Sequence, residues 1–145
     1  MVYDGSKKTP YVEFDPVSPA NSYARSKREG ELFVRDILSR FYIFSTCWLF
    51  GGGRDDKKFV AKIIDRARES RTLTVVDDKF GSPTYTADLA RAMFGFVESG
   101  LYGRYHCVNT GCVSRLEMAR EIVRAAGIGD RTLVDRQTWR IGPGD

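Results

Sequence analysis

Apolar residues recur at helical spacing along the first third of the chain. Leu32, Phe33, Val34, Ile37 and Leu38 predict one long amphipathic helix over about residues 19–39, with Ser18 as N-cap and Pro19 at its first position. The next stretch, Phe41 to Phe50, is apolar almost without interruption and does not alternate. That pattern predicts a single strand buried on both faces, as in a parallel sheet between helical layers. Gly51-Gly52-Gly53 ends it in a loop, and no Lys-Ser/Thr follows to make a phosphate loop. Phe59, Val60, Ile63, Ile64 and Ala67 place a second helix over 59–70, and Leu73 to Val76 a short strand. Residues 77–85 read as a polar loop. Thr86 caps a helix over about 87–98, and Gly100 and Gly103 bracket a tight turn. Tyr105 to Val108 is a further strand. Ser114, with Glu117 three residues on, opens a last clear helix that Gly127 closes. Residues 1–19, punctuated by glycine and proline, read as loop, and residues 135–145 as a terminal tail. Strands alternating with helices define an α/β class.

Composition narrows the function classes. The 145 residues suit one domain, and 42% hydrophobic with 29% charged residues is ordinary for a globular protein. The net charge of +4 is interleaved: Arg25, Lys27 and Arg28 run into Glu29 and Glu31, and Arg54 into Asp55 and Asp56. No basic stripe carries interleaved aromatics, so nucleic acid is disfavoured, whereas a small anionic ligand suits the charge. Three cysteines without paired spacing argue against a disulfide framework or a zinc site. Cys47 and Cys107 are expected to be small core residues in a reducing cytoplasm. His106, the lone histidine, sits in an apolar run and is expected to be structural. No apolar run approaches eighteen residues and no signal-peptide pattern opens the chain, which points to a cytoplasmic protein without a membrane span. There is no G-x-G-x-x-G, since Thr132 stands where the last glycine would follow Gly127 and Gly129.

The stretch that carries chemistry is Ser22-Tyr23-Ala24-Arg25-Ser26-Lys27. Four residues is about one helical turn, so Tyr23 and Lys27 rise from one face. An ammonium beside a phenol favours the phenolate and makes the tyrosine a usable proton donor near neutral pH. The same spacing also suits an aromatic packed on the core with a solvated lysine one turn on.

Around that pair the sequence resembles the active-site segment of the extended short-chain dehydrogenase/reductases: Asp4-Gly5, Tyr11, Asp15-Pro16, Pro19, Tyr23 to Lys27, Gly30-Glu31. It is similar, more narrowly, to the C-terminal part of the dTDP-4-dehydrorhamnose reductase family. Ser45 to Gly51, Val76 to Thr84 and Tyr105 to Gly111 carry that closer resemblance. The resemblance implies a Rossmann-like fold lacking its N-terminal cofactor-binding βαβ units. Residues 1–127 would hold the active-site helix and the substrate-binding part, with 128–145 a weakly determined tail. It implies NADPH-dependent (or NADH-dependent) reduction of the 4-keto group of dTDP-4-dehydro-L-rhamnose to dTDP-L-rhamnose, with room for a Mg2+ ion. Tyr23 would donate the proton, Lys27 would assist it, and both would touch the cofactor; Trp48, Ser82 and Thr84 would meet the substrate. Lys79 stands where the family often has glutamine, and Arg115 where it often has tryptophan. Alternatives are a non-catalytic binding subunit of the same fold, or a sugar-nucleotide epimerase or dehydratase. With the cofactor held mainly by a half absent from this sequence, partners are expected to be that half or a second copy. The isolated chain is then expected neither to bind NADPH tightly nor to turn over, and micromolar affinity in an NADPH titration would refute this.

Overall fold

The computed structural model describes residues 2–53, Asp56, 58–129 and 133–137, the last mainly as backbone. Its elements in order are α1 (Ser22–Ile37), β1 (Tyr42–Ser45), β2 (Leu49–Phe50), α2 (Phe59–Glu69), β3 (Thr72–Val76), β4 (Phe80–Gly81), β5 (Thr84–Tyr85), α3 (Thr86–Ser99), β6 (Gly103–His106), β7 (Val113–Ser114), α4 (Arg115–Ala125) and β8 (Leu133–Gln137). The chain divides into two compact units. One comprises Met1–Cys47 with Asp88–Val108, the other Trp48–Ala87 with Asn109–Asp145. Each unit is closed by strand pairs between distant parts of the sequence. Residues Arg54, Asp55 and Lys57 of the mixed charge run, and 138–145 of the expected tail, lie outside the described residues.

In the first unit β1 and β6 pair in parallel, with Tyr42 opposite Gly103 and Ser45 opposite His106. Tyr42 and Phe44 project from one side of β1. Phe44 meets Phe96 of α3 at 5.5 Å between ring centroids, Phe96 meets Tyr105 at 4.2 Å, and the Tyr42 hydroxyl donates to the Phe96 carbonyl at 2.8 Å. The helix α1 starts three residues later than Ser18 predicts. Asn21 is the N-cap, its Oδ1 accepting the Ala24 N–H at 2.8 Å, while residues 18–20 lie outside the helix. Asparagine is as good a cap as serine, so a sequence with both leaves the start open by a few residues. Ala24, Arg28, Glu31 and Val34 form the face that α1 turns inward, whereas Leu32, Phe33, Ile37 and Leu38 of the expected apolar stripe are exposed.

The N-terminal segment is irregular, as expected, but well tied. Tyr3 stacks on Tyr11 at 4.3 Å, and Asp4 accepts from Ser6 and from the Tyr11 hydroxyl. His106 is structural: its ring lies between the Tyr3 hydroxyl (3.0 Å) and the Tyr11 carbonyl (3.1 Å). Glu13 accepts the His106 backbone N–H at 2.7 Å. That bond is the main reason its carboxyl sits below the usual glutamate range; burial opposes the shift, and the charges of His106 and Arg104 add to it. A folded value below the unfolded one stabilises the fold above the ordinary glutamate range and is lost as pH falls through the lowered value. Amide exchange at His106 is therefore expected to lose protection in that acid window. Glu13→Gln is expected to remove this pH dependence, and an unchanged profile would contradict it.

In the second unit β3 pairs in parallel with β8, so the stretch expected to be tail contributes a strand at least as far as Gln137. Leu73 and Val75 alternate inward from β3 and pack with Ile63 and Ala67 of α2 and Leu116, Ala119 and Val123 of α4. The predicted capping box is present: Ser114 Oγ accepts the Glu117 N–H, and Glu117 Oε2 accepts the Ser114 N–H. At the other end of α4, Gly127 takes φ +69°, its N–H bonds the Arg124 carbonyl, and the Ile128 N–H bonds the Val123 carbonyl. This is a Schellman closure, which a left-handed glycine makes cheap. The expected polar loop 77–85 contains two short strands. β4 pairs antiparallel with β7, and β5 pairs in parallel with β2. Two-residue strands set by distant partners leave no periodicity to read.

The single strand expected over Phe41–Phe50 is the main correction. It is two strands, β1 and β2, in different units, with all ten residues half-buried. The break falls at Trp48, whose φ of +43° takes the chain out of the extended region. No sequence signal marks it, because a tryptophan is among the residues least suited to that conformation.

Candidate functional site

Tyr23 and Lys27 lie in the first two turns of α1 and are both exposed, Tyr23 at 63%. The Lys27 ammonium sits 5.6 Å from the centroid of the Tyr23 ring. The two groups therefore share one side of the helix, as the spacing predicts. Between them Ala24, 1% exposed, seats the turn on the inside, and the Ser26 hydroxyl donates to the Tyr23 carbonyl at 2.9 Å. Within this chain Tyr23 does not pack into the core.

Behind this face, Glu31 and Arg104 bury most of an ion pair. Their side chains are each 12% exposed, and Arg104 Nε lies 3.3 Å from Glu31 Oε2. The N–H at Nε is not aimed at that oxygen, so the contact is electrostatic rather than a hydrogen bond. Arg104 Nη1 donates to the Tyr3 hydroxyl (3.0 Å) and the Glu13 carbonyl (3.1 Å), and the guanidinium stacks near the Tyr3 ring. Arg28 reaches the same Glu31 oxygen at 3.4 Å. This cluster ties α1 to β6 and to the N-terminal segment. The Lys27–Glu31 spacing hints that Glu31 belongs to α1, but nothing in the sequence assigns Arg104 to it.

In the second unit Trp48 is half-buried at the head of β2. Its carbonyl accepts the Thr84 N–H at 3.3 Å. Thr84 is placed otherwise than expected: it is 2% exposed and its hydroxyl donates to the Ser82 carbonyl, so it braces the strand pair from inside. Ser82 is half-buried and its hydroxyl donates to the Gly111 carbonyl at 2.6 Å. Gly51 follows Trp48 closely with φ +118°, and a Cβ there would lie 2.6 Å from both Thr86 Oγ1 and the Tyr85 ring. Only glycine lets β2 leave in that direction. Arg115, marked in the sequence only as a departure from the family pattern, places its guanidinium 3.6 Å over the Trp48 ring and 4.4 Å over the Phe59 ring. Cys47, Cys107 and Cys112 are free, and burial raises the Cys107 thiol.

Among the described residues no three His, Cys, Asp or Glu side chains gather as a metal site requires. No helix of the described residues is long and apolar enough to cross a membrane.

Parallel strand pairs joined through helices, with an exposed tyrosine and lysine one turn apart at a helix start, define a Rossmann-like α/β protein of the extended short-chain dehydrogenase/reductase class. Within that class the match over residues 1–138 is to the RmlD substrate binding domain, and the chain belongs to this family. A dTDP-4-keto-6-deoxy-D-glucose reductase from Streptomyces niveus is 36% identical over 127 residues, covering 87% of this chain and 43% of that relative. The crystal structure of a dTDP-4-dehydrorhamnose reductase from Clostridium acetobutylicum is similar with a TM-score of 0.88 and 39% identity, over 94% of this chain and 47% of that one. A dTDP-4-dehydrorhamnose reductase from Bacillus anthracis, solved in complex with NADP, also gives a TM-score of 0.88, with 35% identity over 94% and 48% of the two chains. The chain thus spans about half the length of the relatives it matches.

Proposed function

We propose that the full-length protein carrying this chain reduces the 4-keto group of a dTDP-4-dehydro-6-deoxyhexose, dTDP-4-dehydro-L-rhamnose first among them, at the expense of NADPH. The observation that carries this reading is the solvent-open Tyr23 with the Lys27 ammonium 5.6 Å from its ring. Family membership and the printed names of the relatives support the substrate class.

Bound NADPH supplies the hydride that reaches C4. The Tyr23 hydroxyl gives its proton to the C4 oxygen as negative charge grows there, so ketone, hydride and proton sum to the alcohol. Lys27 stabilises the phenolate left behind, and solvent returns the proton to the exposed ring. With three donors and no acceptor, the same ammonium suits the hydroxyls of the cofactor's nicotinamide ribose. The exposure of both groups at the start of α1 fits that use. Trp48 offers an aromatic face to the apolar side of the pyranose. Ser82, its proton engaged by Gly111, keeps lone pairs that can accept from a sugar hydroxyl. Thr84 is left out of the substrate contacts. A reducing cytoplasm, where three free thiols persist, belongs to the same reading.

The test is to supply the full-length protein with dTDP-4-dehydro-L-rhamnose and with dTDP-4-dehydro-6-deoxy-D-glucose and to follow NADPH oxidation. Turnover of at least one, with the product stereochemistry read by NMR, is expected; no oxidation with either rejects the proposal. The exposed Leu32, Phe33, Ile37 and Leu38 on α1 support a further expectation. Expressed alone, the 145-residue chain should self-associate through such surface, and a monodisperse monomer in light scattering would contradict this.

A further inference from the structure

We infer that Arg115 is a positioning residue for Trp48: its guanidinium holds the indole in place and, by covering one ring face, leaves the opposite face to the sugar. The inference rests on the proposed role of Trp48 as the sugar contact.

Trp48 is a bulky residue at φ +43°, a conformation that persists only when its surroundings over-determine it. Three constraints do so here. The Trp48 carbonyl is bonded to the Thr84 N–H, the next two residues are locked into the pairing of β2 with β5, and Arg115 lies over the ring at 3.6 Å. Arg115 is itself closely placed. It is the first residue of α4, directly after the buried cap Ser114, and its N–H donates to the Lys79 carbonyl at 3.0 Å. The Phe59 ring, at the first residue of α2, lies 4.4 Å from the guanidinium. A cation at a helix N-terminus opposes the macrodipole. Arginine thus stands against the local electrostatic preference, and its guanidinium lies over both Trp48 and Phe59. The flat, delocalised guanidinium suits stacking in a way that an ammonium does not. The face it covers is closed to ligand, so a pyranose meets the indole from the other side.

The experiment uses the full-length protein labelled with 5-fluorotryptophan, the Trp48 19F resonance being assigned by its loss in Trp48→Phe. Arg115→Met keeps an apolar stem in place of the guanidinium, and Arg115→Lys keeps the charge without the plane. Arg115→Met is expected to move the Trp48 resonance and to raise KM for the nucleotide sugar roughly 5- to 30-fold, the worth of one partly buried stacked cation. KM for NADPH is expected to stay put, and Arg115→Lys to recover only part of the loss. An unmoved Trp48 resonance in both variants overturns the inference. So does a moved resonance with unchanged sugar KM, provided Trp48→Phe itself raises that KM. If Trp48→Phe leaves the sugar KM unchanged, the sugar-contact reading of Trp48 fails, and the inference falls with it.

Discussion

Tyr23→Phe in the full-length protein is expected to lower kcat by about 10²–10⁴-fold, the range of a positioned proton donor, with KM for the nucleotide sugar little changed. The substitution deletes one oxygen from a ring that is 63% exposed, so the fold should not respond. Uniform loss of kcat and kcat/KM would show that the lost interaction is made only in the transition state. Lys27→Met is expected to lower kcat as well and to raise KM for NADPH, since the ammonium is assigned both to the phenolate and to the cofactor's ribose. The pair is also expected to be non-additive: with Tyr23 already phenylalanine, removing Lys27 should cost little more in kcat. Steady-state kinetics on the two single variants and the double variant decide the matter. A Tyr23→Phe enzyme within a few-fold of wild type would remove Tyr23 from the chemistry, and with it the proton-donor mechanism.

The second large effect is on stability. Glu31→Ala is expected to destabilise the full-length protein by about 3 kcal/mol, because it leaves Arg104 buried without its carboxylate. Arg104 is 12% exposed, two of its nitrogens are buried without hydrogen bonds, and Glu31 is its only ion-pair partner among the described residues. Arg104→Met is expected to cost less, since Glu31 keeps Arg28 at 3.4 Å. Combining Glu31→Ala with Arg104→Met should recover much of the loss, because no buried guanidinium is then left without its carboxylate. Urea unfolding of the single and double variants provides the cycle, and additive losses would show the two residues to be uncoupled. The catalytic consequence is indirect. Glu31 lies two turns beyond Tyr23 on α1, so loosening its tie to β6 should blur the placement of Tyr23 and lower kcat modestly.

Much of the local structure could be read from the chain. The Ser114–Glu117 box, the Gly127 closure and the α2 face with Ile63 and Ala67 all appear where spacing puts them. Each depends on groups within about four residues of one another. The Tyr23–Lys27 pair belongs with these, since two positions one turn apart share a helix face whatever else surrounds them. Readings that failed involve partners far along the chain. β8 arises where no pattern showed, and the apolar run 41–50 changes partners midway, from β6 to β5. Thr84, marked as a contact by resemblance to a loop, turns inward because its pairing with Leu49 sets which side it faces.

Sequence alone therefore determined the α/β alternation, the helix ends with local caps, and a phenol and an amine on one side of α1. Those features are set by periods of two and 3.6 residues and by short-range hydrogen bonds. Only the tertiary structure decided that the tyrosine is open to solvent, that Arg104 closes on Glu31 across 73 positions of sequence, and that Arg115 lies on Trp48. Such contacts join residues whose neighbours in sequence carry no trace of each other, and they form only once sheet pairing has brought the strands together.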